Sequence, residues 1–180
     1  MALRAPIKEK HMKKPQQSPF VFFYGGIFSQ WYACSFTVDG VRYNCAEQYM
    51  MAQKARLFCD GPALAAVMST NDPSKQKAIG KRVKGFDKAV WEAVARDIVR
   101  MASMAKFTSS PHLYRGLMET EGKELVEASP TDVIWGIGMV EGEEGIEDRA
   151  NWRGPNWLGE CLMDVRKALI ASRDTALSGL

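Results

Sequence analysis

The sequence predicts a single α+β domain, rich in helix, with a small β-sheet. Three observations lead there. An aromatic, alternating stretch opens the chain and reads as short strands. From residue 44 onward helix-start signals recur, at Asn44, at Asp72-Pro73 and at Ser110-Pro111. A chain of 180 residues with 46% hydrophobic and 25% charged content suits one globular domain with a sizeable core. No internal repeat and no second domain is evident, so the expected domain spans 18–180.

The elements follow in order. "SPFVFFYGGIFSQWYACSFTVDGVRYNCAEQ" is broken by Gly25-Gly26 and by an Asp39-Gly40 turn. It predicts strands near 20–24, 34–38 and 41–43. Asn44 then caps a helix to about Phe58, which Asp60-Gly61-Pro62 ends. A short helix covers about 63–69, and another runs from Asp72-Pro73 to about Lys84. The latter carries Lys75, Lys77, Lys81 and Arg82, read as a solvated face. Residues 87–106 form the longest expected helix, with Val90, Val94, Ile98, Met101 and Ala105 at helical spacing. Ser110-Pro111 opens a helix to about Glu119. "KELVEAS" and "DVIWGIGM" predict two strands. "EGEEGIEDR", 141–149, reads as a mobile exposed loop, and "NWLGECLMDVRKALIAS" closes the chain as an amphipathic helix.

Charge and cysteine usage narrow the class. Residues 1–17 hold five basic residues against one acidic, while the remainder holds 19 basic and 20 acidic. The expected tail is disordered and basic, either simply solvated or able to gather phosphates. The four cysteines form no CxxC pair and have no histidine cluster beside them, so free thiols are expected rather than a zinc site. No apolar run approaches the roughly 20 residues needed to span a bilayer. The N-terminus has charges without an apolar stretch. A cytoplasmic location is expected, or a nuclear one in a eukaryote.

The stretch "NCAEQYMMAQKA" carries the first candidate chemistry. Glu47 and Lys54 stand seven residues apart, which places both on one helix face about 10 Å apart along the axis. Helical side chains lean toward the N-terminus, so Lys54 leans toward Glu47 and the two can bracket one small ligand. Glu47 has a second reading, as the reach-back residue of a capping box begun by Asn44. Lys54 has one too, as a lysine whose stem covers apolar surface. Asp132, ahead of Trp135-Gly136, is either a turn residue or a site residue, since glycine lets a ligand approach the backbone. Trp91 and Trp135 are core residues or stacking platforms. "NWRGPNWLGE" places Asn156 at a helix start able to hold a phosphate, with Arg153 nearby. No phosphate loop, dinucleotide fingerprint or nucleophile elbow is present. Residue chemistry alone reaches a two-carboxylate hydrolase.

The motifs "FFYGGIFSQWY", "YNCAEQYMMAQKARLF", "AIGKRVKGFDKAVWEAVARDIV", "KF", "LVEASPTDVIWGIGM" and "NWRGPNWLGECLMDVRKAL", in this order, resemble the NADAR family, also called YbiA-like proteins. The resemblance covers roughly residues 20–170. It implies a YbiA-like fold and an N-glycoside hydrolase. Some members act on ribosylaminopyrimidine intermediates of riboflavin synthesis, and others remove ADP-ribose from guanine in nucleic acid. The family's glutamate, aspartate and lysine match Glu47, Asp132 and Lys54, and its tryptophans match Trp91 and Trp135. Relatives usually show "LSNFY" where this chain has "FSQWY".

Both substrate types join ribose C1 to an exocyclic amino nitrogen. ADP-ribosylated nucleic acid is the preferred partner, a ribosylaminopyrimidine phosphate the alternative, and a non-catalytic ADP-ribose or NAD-binding module the third reading. Glu47 and Asp132 are the expected acid–base pair. Lys54 either forms a Schiff base with the opened sugar or only contacts phosphate or sugar. No metal and no cofactor is expected.

Overall fold

The computed structural model describes residues 18–178, so the expected basic tail at 1–17 lies outside the described residues. Among these, four strands and six α-helices appear. The strands are β1 (Phe20–Phe23), β2 (Phe36–Val38), β3 (Val41–Tyr43) and β4 (Glu124–Glu127). The helices are α1 (Ala46–Leu57), α2 (Gly61–Met68), α3 (Pro73–Gly80), α4 (Lys88–Thr108), α5 (Pro111–Met118) and α6 (Trp157–Ser178). The helix-rich α+β class is as predicted.

The strands form two pairs rather than one sheet. β2 and β3 make an antiparallel hairpin, with Phe36 opposite Tyr43. Its turn, Asp39-Gly40, holds both residues at positive φ, 49° and 75°, as a tight hairpin turn requires. β1 pairs in parallel with β4, Phe20 beside Glu124 and Phe23 beside Glu127. Capping side chains start the helices: Asp60 accepts from the Ala63 amide, Asp87 from Val90 and Ser110 from Leu113.

Helix α4 packs against both α1 and α6, and α6 packs against β4. Tyr49, Phe107, Leu117, Leu125, Leu158 and Leu162 are fully buried in the main core. A second, smaller core holds Val126, Ala128, Ile137, Met139 and Ile146. Successive strand side chains point to opposite faces, so Leu125 and Val126 feed different cores. Glu127 comes two residues after Leu125 and therefore emerges on the main-core side, at that core's edge.

Several expectations fail locally. "DVIWGIGM" is not a strand: 136–139 are buried without alternation, and the Asp132 carboxylate accepts from the Ile134 and Trp135 amides to make a turn. The longest helix is α6, with 22 residues against 21 for α4. On α4 the deepest stripe is Trp91, Ala95, Val99, Ala102 and Lys106, one position round from the predicted one, and Val90 and Met101 are about half exposed. The helix after Asp72 ends at Gly80, short of Lys84. The acidic 141–149 loop is exposed as predicted except at Glu143, half-buried and held by Arg153 and the Val140 amide, and at Ile146, which is buried and whose carbonyl accepts from the Trp152 indole N–H.

Candidate active site

One cleft of about 1000 Å³ lies between α1, the Gly25–Tyr32 loop, the α3–α4 region and the end of β4. Helix α1 supplies its floor. The helix is not capped as predicted. Cys45 is the N-cap, its Sγ accepting from the Gln48 amide, and Gln48 Oε1 accepts from the Asn44 amide at 2.9 Å. The Asn44 side chain is occupied elsewhere, its Nδ2 donating to the Thr70 carbonyl and to Asn71 Oδ1. The cap therefore sits one residue later, and Glu47 is released from any capping part.

Glu47 instead points into the cleft and is 3% exposed. Burial pushes its pKa up to about 7; Lys77, the Trp31 indole and Lys54 oppose the rise, and Asp132 adds to it. Lys54 borders the same cleft, as the shared helix face predicted. Its Nζ stands 4.0 Å from the Phe86 ring centroid and 5.4 Å from that of Trp91. Burial lowers its pKa, and the Glu47 carboxylate opposes this without overturning it.

The opposite wall comes from β4 and the turn after it. Asp132 Oδ1 accepts from the amides of Ile134 and Trp135, at 3.0 and 2.8 Å, and Oδ2 lies 3.7 Å from Lys77 Nζ. It is a turn residue and a cleft residue at once. Glu127, absent from the sequence-based candidates, ends β4 and also borders the cleft. Burial and then Asp132 push its pKa up to about 8, with Glu47 adding and Lys77 opposing. Lys77 was expected on a solvated face, yet its amine reaches the cleft. The sequence held no local signal for either: β4 reads Glu-Leu-Val-Glu with an acid at both ends, and Lys77 stands beside Gln76, whose burial only the fold creates.

Among the described residues, three buried side-chain oxygens have no hydrogen-bond partner: Gln30 Oε1, Glu47 Oε1 and Glu127 Oε2. All three belong to residues bordering this cleft. An unpaired buried polar group costs about 1–3 kcal/mol, and three of them around one cavity mark a place for a polar ligand. Aromatic rings surround that place. Trp91 is 9% exposed and half in the core, and Trp135 meets Trp157 edge to face at 5.8 Å. Trp31 and Phe86 stand more exposed at the mouth.

Two predicted contact residues lie elsewhere. Gly136 is buried behind the cleft wall, and a Cβ there would fall 2.7 Å from the Glu127 carbonyl oxygen. Its lack of a side chain admits protein backbone, not ligand. Asn156 is 2% exposed; its Oδ1 accepts from the Glu127 amide at 3.0 Å and its Nδ2 donates to the Leu125 carbonyl at 2.9 Å. It fixes β4 in place and offers nothing to a phosphate. Arg153 is likewise engaged, with the Gly138 carbonyl and the Glu143 carboxylate. No three His, Cys, Asp or Glu side chains among the described residues gather closely enough to hold a metal ion. No described helix is long and apolar enough to cross a membrane.

The structure is thus a helix-rich α+β scaffold whose cleft sets carboxyls and amines among aromatic rings. The chain belongs to the NADAR domain family, whose model matches residues 22–170. It is 38% identical over 161 residues to N-glycosidase R617 of Acanthamoeba polyphaga mimivirus, covering 82% of this chain and 95% of that protein. It is 33% identical over 177 residues to the protein irg-1 of Caenorhabditis elegans, covering 88% and 84%. The NMR structure of Escherichia coli YbiA superposes with a TM-score of 0.72 at 28% identity, over 94% of this chain and 95% of that one.

Proposed function

We propose that this protein is an N-glycosidase that hydrolyses the bond between ribose C1 and an exocyclic amino nitrogen, acting on ADP-ribosylated guanine in nucleic acid. The observation that carries the chemistry is the convergence of unpaired buried carboxyl oxygens from Glu47 and Glu127 on one cleft. Breaking a C1–N bond builds positive charge on the sugar, and a carboxylate beside C1 stabilises it or draws a proton from water. Glu47 suits this part, because a carboxyl titrating about pH 7 exchanges its proton readily near neutrality. A curated relative that this chain covers almost whole carries the name N-glycosidase, which supports the reaction class.

Size favours the larger substrate. The cleft, about 1000 Å³, lies at the upper end of the roughly 300–1,000 Å³ usual for small-molecule sites. Exposed rings at its mouth offer a second stacking surface beyond the indoles inside. A maize riboflavin biosynthesis protein is also a relative, at 33% identity, but the match spans 21% of that protein. Lys54 has two uses in this reading. Its lowered pKa favours the neutral amine that could attack an opened sugar imine, and its place beside Glu47 equally suits contact with a sugar hydroxyl.

The test is incubation with a guanine-ADP-ribosylated oligonucleotide and, separately, with a ribosylaminopyrimidine phosphate, following products by mass. Release of ADP-ribose with restored guanine is the expected result. Cleavage confined to the pyrimidine would overturn the substrate assignment. Binding without cleavage of either would make the protein a ligand-binding module.

A further inference from the structure

The reaction needs a proton for the departing nitrogen, and three carboxyl groups border the cleft. We propose that Glu127, rather than Asp132, is the acid that delivers this proton, and that Asp132 acts as a fixed anion that positions the wall. The inference rests on the N-glycosidase reading above.

Asp132 is surrounded by donors. One oxygen takes two backbone N–H groups and the other faces the Lys77 amine. These partners all suit an acceptor, and a proton placed on either oxygen would meet a donor. Glu127 is the reverse case. Among the described residues, no donor reaches its buried Oε2. The groups facing it are the Asp132 and Glu47 carboxyls and the single Lys77 amine. Two acidic neighbours against one amine, in a dry setting, favour the neutral acid. The resulting pKa of about 8 leaves it protonated at neutral pH.

Its position is also fixed. The Glu127 amide donates to Asn156 Oδ1 and its carbonyl accepts from the Ile137 amide, both at 3.0 Å. The strand end is thus clamped by the residue just before α6 on one side and by the segment after the Asp132 turn on the other. A rigid backbone with a free carboxyl is what proton delivery to one atom needs. Glu47, on α1, approaches the same cavity from the other wall.

The step balances. The C1–N bond breaks and its electron pair stays with nitrogen, which takes the proton from Glu127 and leaves as a neutral amine. Glu127 becomes a carboxylate. Water adds to C1 and gives a proton to the Glu47 carboxylate, producing the free sugar. Glu47 releases that proton to solvent and Glu127 regains one, which restores both groups.

The test is the pH dependence of turnover in wild type and Glu127→Gln. Wild-type kcat is expected to fall on the alkaline side near pH 8, as Glu127 loses its proton. Glu127→Gln should lower kcat by about 100-fold, leave KM within a few-fold and abolish that alkaline limb. An alkaline limb that persists in Glu127→Gln, or a kcat close to wild type, overturns the assignment. A second measurement covers a variant that does not fold. Carboxyl-labelled wild-type protein is titrated by NMR, and Glu127 should stay protonated at pH 6.5. A Glu127 already ionised at that pH sinks the proposal. Absence of turnover in wild-type protein is a different failure, that of the hydrolase reading itself.

Discussion

Lys77 and Asp132 form an ion pair across the cleft, 3.7 Å between Nζ and Oδ2, joining α3 to the turn after β4. Among the described residues, the Lys77 amine is the one positive group that faces Glu47 and Glu127 together, and it holds both pKa values down. One side chain therefore tunes two carboxyls that approach the ligand from opposite walls.

Removing that charge should move the pH profile and leave the fold nearly unchanged. In Lys77→Met both limbs of kcat against pH shift upward, because neither carboxyl then has the amine to favour its ionised form. The pair is partly exposed, and such bridges contribute about 0–1 kcal/mol. Melting should fall by no more than about 4 °C for a chain of this size. An unmoved pH profile would show that Lys77 does not act on the titrating groups.

Glu47→Gln separates activity from stability. Turnover should drop about 100-fold or more, the scale of a general acid–base group. Stability should change with the opposite sign. The Glu47 pKa is raised from 4.5 to about 7 by folding, so the folded chain holds a proton that the unfolded chain releases. Its contribution is complete below about pH 4.5 and is lost as pH rises through about 7. Gln carries no such penalty. Thermal melting should therefore place the variant above wild type at pH 8.5, with the gap closing toward pH 4.5.

Asp132 needs two substitutions. Asn keeps an oxygen for the Ile134 and Trp135 amides, so Asp132→Asn should fold normally and hydrolyse poorly. Asp132→Ala also leaves those two amides without an acceptor and should cost a further 1–2 kcal/mol or so in denaturant unfolding. Equal stability of the two variants would mean that the turn does not depend on this side chain.

Lys54 is tested by trapping. With water adding directly to C1, borohydride added during turnover should leave no sugar adduct on the wild-type protein, and Lys54→Ala should change KM with little effect on kcat. An adduct seen as added mass and lost in Lys54→Ala would instead make the amine a covalent nucleophile.

Much of this architecture is legible in the sequence, for identifiable reasons. Helix starts are written locally, in Asp72-Pro73 and Ser110-Pro111, and the structure places helices there. The shared face of Glu47 and Lys54 follows from helical spacing, and both reach one cleft. Other features depend on long-range partners. Asn44 looks like a cap until Thr70 and Asn71 take its amide. "DVIWGIGM" has strand composition, yet Asp132 folds its start into a turn and the carbonyls of Trp135, Gly136 and Ile137 accept from the amides of Leu158, Asn156 and Arg153. Asn156 looks like an anion site, but left-handed at φ 60° it turns inward to hold β4. Glu127 gains its place only from the edge of a core that no local pattern reveals.

The parallel pairing of β1 with β4 sets the order in which this site comes into being. Phe20 and Glu124 are neighbours although about 100 residues separate them in sequence, a closure that is entropically slow. A chain still growing at residue 120 already contains Glu47, Lys54 and Lys77, and lacks every group of the opposite wall. Local helices can form early, while the cleft waits for the last third of the polypeptide to return and zip onto its first strand. Activity during refolding should then appear in a single late phase, after most helical signal has been recovered, so that the onset of turnover serves as a clock for chain closure.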